Sequence, residues 1–227
     1  MNYQVYVISA GRYDKLNFTK KQKQDYVFCV KDGEGHLYKS RGCLNVFETG
    51  SLMSSRNAAL EMAFKDDKIC VQLSDDLKRV TTNKNFGAKK EVPLDDAIKE
   101  LIFVFNKVKG VYLMGVPPTS NDFFAKSLVS KNTFCIGDML FVKPNELRFD
   151  TSLTLKEDYD YTLQHLKVYG NCFRYQKYLF EFEHYKNKGG AVQYRSDDEE
   201  MKNITILKSK WGKKVRLNPK RKNEILI

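Results

Sequence analysis

Two doublets of adjacent carboxylates are the residues best suited to chemistry. Ser74-Asp75-Asp76 follows directly on an apolar run that begins at Ile69, and Glu157-Asp158 opens a stretch of helical character. Acids at the carboxyl end of a buried strand face the crevice in which α/β sheets bind ligands. Their hard oxygens suit a divalent cation whose remaining shell a nucleotide diphosphate fills. Acids in the first turn of a helix complement its dipole, and one that also faces a cleft can act as general base toward an acceptor hydroxyl. The plainer readings are a solvated, helix-capping turn for the first doublet and dipole complementation for the second.

Three further groups belong with these acids. Arg56-Asn57 lies on the early turns of a helix that precedes the first doublet, where such a pair can meet a phosphate or a nucleobase edge. Ser9-Ala10-Gly11-Arg12 closes an N-terminal apolar run, with Gly11 as its turn residue. His184 ends a long alternating segment; a lone histidine is more often structural, and a nearby metal reverses that expectation.

The elements that must position these residues alternate. Residues 5–8 read as a strand, 25–30 as a second, 51–64 as a helix with Leu52, Ala59, Met62 and Ala63 on one face, and 68–74 as a buried strand. Strand, loop, helix, strand predicts an α/β domain with parallel strands. Pro93 opens an amphipathic helix that Gly110 ends. Strands are expected at 111–116 and 133–142, with a polar loop at 117–131 between them. A helix is expected at 157–168 and one long strand at 172–184. Residues 196–208 suit a short helix with acids in its first turn.

Bulk composition narrows the class. The 227 residues are 42% hydrophobic, which suits a folded single domain. Lys+Arg number 39 against 28 Asp+Glu, a net charge of +11 that favours polyanionic partners. Five widely spaced cysteines without a CxxC pair argue against a disulfide framework or zinc knuckle and for reduced thiols in a cytosol-like compartment. The first apolar run is too short for a signal peptide, and no stretch has the length a bilayer requires, so no membrane partner is expected. Composition shifts near the end, where Lys208, Lys210, Lys213, Lys214, Arg216, Lys220, Arg221 and Lys222 crowd together. The expected organisation is a domain over residues 1–195 and a basic C-terminal extension over 196–227.

Taken in order over residues 3 to about 184, these segments resemble the GT-A fold of nucleotide-sugar glycosyltransferases, a Rossmann-like mixed sheet flanked by helices. The resemblance implies that Ser9, Ala10, Gly11 and Arg12 begin the nucleotide site and that Gly50 through Asn57 forms the glycine loop and Arg-Asn helix. It implies that Ser74-Asp75-Asp76 is the DxD motif, with Asp76 on Mn²⁺ or Mg²⁺ and Asp75 on ribose or metal. Ser74 stands where that family usually has its first Asp. Asp158, or Glu157, then faces the acceptor, and His184 is the C-terminal metal ligand. A shorter segment, Lys188-Gly189-Gly190-Ala191-Val192-Gln193-Tyr194-Arg195, is similar to the TET-associated branch, which is linked to sugars on hydroxymethylated DNA bases. Phage hydroxymethylcytosine glucosyltransferases and the kinetoplastid base J enzyme belong to that circle. The implied activity is transfer of a sugar, first of all glucose, from a UDP-sugar to a hydroxymethylpyrimidine in double- or single-stranded DNA. Gly189, Gly190, Tyr194, Arg195, Lys213, Lys214, Arg221 and Lys222 would meet the DNA, and aromatic residues of the 117–131 loop would stack on an extruded base. Two alternatives stay open: a GT-A enzyme with a protein or glycan acceptor, and a nucleic-acid binder that has lost metal and catalysis.

Overall fold

The computed structural model describes residues 1–183 and 195–227. Its first half alternates strand and helix: β1 (Tyr3–Ser9), α1 (Lys20–Asp25), β2 (Val27–Val30), α2 (Gly35–Ser40), β3 (Asn45–Glu48), α3 (Leu52–Lys65) and β4 (Ile69–Ser74). There follow β5 (Leu77–Thr82), α4 (Leu94–Lys107), β6 (Leu113–Gly115), β7 (Val129–Lys131), β8 (Met139–Val142), α5 (Glu157–Tyr169), β9 (Phe173–Tyr175) and β10 (Tyr178–Phe182). The chain closes with α6 (Asp197–Trp211), β11 (Arg216–Leu217) and β12 (Ile225–Leu226).

Among the described residues the main sheet runs β3-β2-β1-β4-β8-β6-β9-β7. The first four strands are parallel, in the order of a nucleotide-binding half. β8 is antiparallel to both β4 and β6, so β6 points the same way as β4. This is the α/β fold that the alternation predicts, with the Rossmann-like mixed sheet that the resemblance implies. Strand periodicity sorts β4 between two apolar layers: Ile69, Val71 and Leu73 join Ile98, Leu101 and Phe105 of α4 on one face. Cys70 joins Ala59, Leu60 and Ala63 of α3 and Tyr161 of α5 on the other.

Several boundaries differ from expectation. Strand 133–142 contracts to β8, because Gly137-Asp138 turns the chain before Met139. The alternating segment 172–184 divides at Gln176-Lys177; β9 stays in the main sheet, whereas β10 leaves to pair with β5. Helix α3 is rotated from the expected face: Met53 and Leu60 are buried with Ala59 and Ala63, and Leu52 and Met62 lie at the margin. The basic end is folded rather than a free arm. Helix α6 starts from the N-cap Ser196, and Ile204, Leu207, Val215 and Ile225 pack on Leu153 and on Leu163 of α5. Among the described residues no helix is long and apolar enough to cross a membrane, and all five cysteines are free and buried.

Candidate functional site

Register delivers the first acidic doublet. Ile8 of β1 is paired with Ser74 of β4, so Ser9 and Asp75 leave the sheet side by side at its carboxyl edge. The Ser9 hydroxyl donates to Asp75 Oδ2 and also meets the Tyr38 hydroxyl at 2.6 Å. Arg12 Nη1 donates to Asp75 Oδ1 at 2.6 Å and lies 3.5 Å from Asp76 Oδ2. Gly11 makes this return possible: at φ +68° it turns the chain so that the guanidinium falls back on the acids, and its N–H donates to Glu34 at 2.7 Å. The Ser74 hydroxyl donates to Asp76 Oδ1 at 2.7 Å. Burial raises the Asp75 carboxyl to about 6, against the lowering pull of Arg12 and the Ser9 hydrogen bond. Ala10 borders the group without a polar side chain.

The second doublet is built differently. Arg56, 6% exposed, donates through Nε to Glu157 at 3.1 Å, through Nη1 to Gln72 at 3.0 Å and through Nη2 to the Gly137 carbonyl at 3.0 Å. Asn57 is used likewise, donating to the Phe149 carbonyl at 3.0 Å and accepting its N–H at 2.8 Å. Arg56 and Asn57, expected to reach a phosphate or base edge, are engaged within the protein here. In this fold they fasten α3 to β4 and to the start of α5. Glu157 is held with them, buried against Arg56.

Asp158 is half-buried and is held by backbone rather than by a side chain. The Gly137 N–H donates to its Oδ2 at 2.9 Å and the Tyr159 N–H to its Oδ1 at 2.9 Å, so backbone amides orient it. Burial first, and then the Glu157 carboxylate, push the Asp158 carboxyl up to about 7, and Asp138 adds to the rise. A carboxyl at that level is matched to proton transfer near neutrality.

Residues 137 and 138 join the two doublets. The Ser74 N–H donates to the Asp138 carbonyl at 2.8 Å, and Gly137 touches both Arg56 and Asp158. A Cβ at position 137 would lie 2.6 Å from Arg56 Nη2, so a side chain there would displace the guanidinium. Gly137, Asp138 and Tyr38 were missing from the sequence reading. The Gly-Asp pair inside an apolar run was the available signal for the first two; nothing local marks Tyr38.

The donor set suits a divalent cation that arrives with a diphosphate. Asp76 adds two carboxylate oxygens, one accepting from Ser74 and the other 3.5 Å from Arg12, beside the Asp75 oxygens held by Ser9 and Arg12. Among the described residues no cluster of three His, Cys, Asp or Glu could hold a metal by protein alone. Two acids and one arginine also leave a net negative charge, against which a diphosphate needs a counter-cation. Glu183 donates its N–H to the Asp76 carbonyl at 2.9 Å, which brings β10 back to this doublet. His184, Gly189, Gly190 and Tyr194 lie outside the described residues.

The basic cap divides into two kinds of charge. Arg195 reaches Glu200 at 3.6 Å, Arg221 pairs with Glu224 at 3.1 Å, and Lys222 pairs with Asp197. Lys213 and Lys214 stand exposed on a 3-10 turn. The cap also braces α5: Lys210 Nζ lies 2.9 Å from Asp160 Oδ1, and Trp211 Nε1 donates to the same oxygen at 2.7 Å. Lys156, held in the left-handed region at φ +61° just before Glu157, reaches Glu200 at 2.6 Å and the Asn223 carbonyl at 2.8 Å.

No protein-family model matches the chain, and no curated protein matches it. Among solved structures it is similar to A197 from STIV, with a TM-score of 0.49 and 13% identity over 80% of this chain and 85% of that one. That similarity is too distant to carry any residue's role across.

Proposed function

We propose that the protein transfers a sugar from a UDP-sugar to a hydroxyl acceptor, and that the acceptor is a hydroxymethylated pyrimidine in DNA. One observation carries the reading. A diphosphate-type site (Arg12, Asp75, Asp76) and an oriented carboxyl near neutrality (Asp158) lie on one sheet edge, joined by residues 137 and 138. Asp158 takes the proton as the acceptor oxygen bonds to the anomeric carbon, and the bond from that carbon to the diphosphate breaks, releasing UDP. Asp75, itself held by Ser9, holds Arg12 at the donor end, and Asp76 supplies the carboxylate that would bind Mn²⁺ or Mg²⁺. The cation, when bound, offsets negative charge on the leaving diphosphate. The net charge of +11 supports a nucleic-acid acceptor over a neutral glycan.

The test is mass spectrometry of nucleosides from hydroxymethylated DNA after incubation with several UDP-sugars and Mn²⁺. A hexose-sized mass gain on the modified base is expected. Transfer to glycans or proteins with none to DNA would replace the acceptor, and absence of both transfer and donor hydrolysis would leave a binding protein.

A further inference from the structure

We propose that the exposed turn bearing Phe123 and Phe124, with the lysines around it, is a stacking platform for single-stranded nucleic acid. The rings sit on a 3-10 turn, Asp122–Phe124, where the Asn121 side chain accepts the Phe123 N–H at 2.9 Å. They are 63% and 65% exposed and meet edge to face with centroids 5.1 Å apart, while Leu128 and Val129 extend the apolar surface. The turn is anchored from beneath. Asp122 is buried and accepts from the Lys84 N–H and from Lys89 Nζ, both at 2.7 Å. Asn85 donates to the Asp122 carbonyl at 2.8 Å, and buried Asn83 donates to the Ala125 carbonyl at 2.7 Å. Rings presented by a fixed turn lose little freedom when a ligand covers them.

Charge selects the occupant. Those same bonds join residues 84–90 to residues 121–131 as one surface. The two stretches hold Lys84, Lys89, Lys90, Lys126 and Lys131, and Asp122, already paired with Lys89, is their sole carboxylate. Lys126 Nζ lies 4.4 Å from the Phe123 ring centroid. Aromatic faces interleaved with ammonium groups match the alternation of base and phosphate along a single strand, whose bases are free to stack. A duplex withholds those faces. The chain enters this loop from the carboxyl end of β6, on the same sheet edge as Asp75 and Asp158. The inference rests on nucleic acid as the acceptor class and not on sugar transfer.

Fluorescence anisotropy with a labelled oligothymidylate, a duplex of equal length and phosphatidylserine vesicles tests it in the full chain. Oligothymidylate should bind more tightly than duplex, and Phe123→Ala or Phe124→Ala should each weaken it roughly 5- to 100-fold. Phe123→Trp should retain affinity and show quenched tryptophan fluorescence on binding, which covers the case of a misfolded alanine variant. Unchanged affinity in a folded Phe123→Ala/Phe124→Ala protein overturns the inference. So does a wild type that ignores oligothymidylate, or that binds vesicles through these same rings. Failure of sugar transfer with ring-dependent oligonucleotide binding intact would sink the enzymatic reading and leave this one standing.

Discussion

Asp75-Asp76 and Glu157-Asp158 each set two acids beside a buried arginine, and the arginine is used differently in the two places. Arg12 lies between Asp75 and Asp76, so the first doublet shares one positive charge. Arg56 takes Glu157 alone, and Asp158 is left to two backbone amides. Sharing lowers the net charge of the first doublet. At the second, burial first and then the Glu157 carboxylate raise Asp158 toward neutrality, against a lowering pull from Arg56. The same residue types thus sit in two different electrostatic settings.

The largest effect is expected where the first doublet is broken. Asp76→Asn should abolish divalent-stimulated transfer while the fold survives, and a folded variant with near-normal turnover would remove the metal from this site. Asp158→Asn should lower turnover by about two to four orders of magnitude with donor affinity little changed, as calorimetry can establish. Collapse of UDP-sugar affinity with turnover largely kept would assign Asp158 to the donor instead. Arg56→Met leaves Glu157 buried without its partner and should cost about 3–5 kcal/mol of stability in urea unfolding. A cost below about 1 kcal/mol would mean that the pair does not fasten α3 to α5.

Acidity sharpens the comparison further. If Asp158 must be ionised, turnover should fall about tenfold per pH unit below about 7 and level off above it. Its folded carboxyl is raised from 3.8, so its contribution to stability is complete below about pH 4 and is lost as pH rises through about 7. Asp158→Asn should therefore gain stability over wild type at pH 8 and not at pH 4, which thermal melts at the two values would check. The smallest effect concerns the cap. Lys213→Gln and Lys214→Gln should each make the log–log salt dependence of DNA binding shallower by about one. Arg221→Gln and Lys222→Gln should do less, because Glu224 and Asp197 already hold those charges. Equal slopes for all four variants would mean that these ion pairs open on binding.

Much of the site's outline was legible because local rules govern it. An apolar strand running into Ser74-Asp75-Asp76 must end at a sheet edge, and acids after Lys156 must begin a helix. Ser51 and Ser196, where helices were expected to begin, cap them, each accepting a backbone N–H three residues on. The long alternating run through Gln176 misled, since period two marks a strand without saying which sheet it joins. Arg56 misled for a related reason: a helical arginine points outward by default, and only the packing of α3 on β4 and α5 buries its guanidinium.

The sequence by itself determined the α/β alternation, the places of the acidic doublets and the charge that suits a polyanion, since each follows from neighbours in the chain. Only the tertiary structure decided which acid is ion-paired and which is held by backbone amides. Arg56 meets Glu157 across 101 positions, and Arg12 meets Asp75 across 63. Burial and pairing over such separations set the acidities, and no local pattern encodes them.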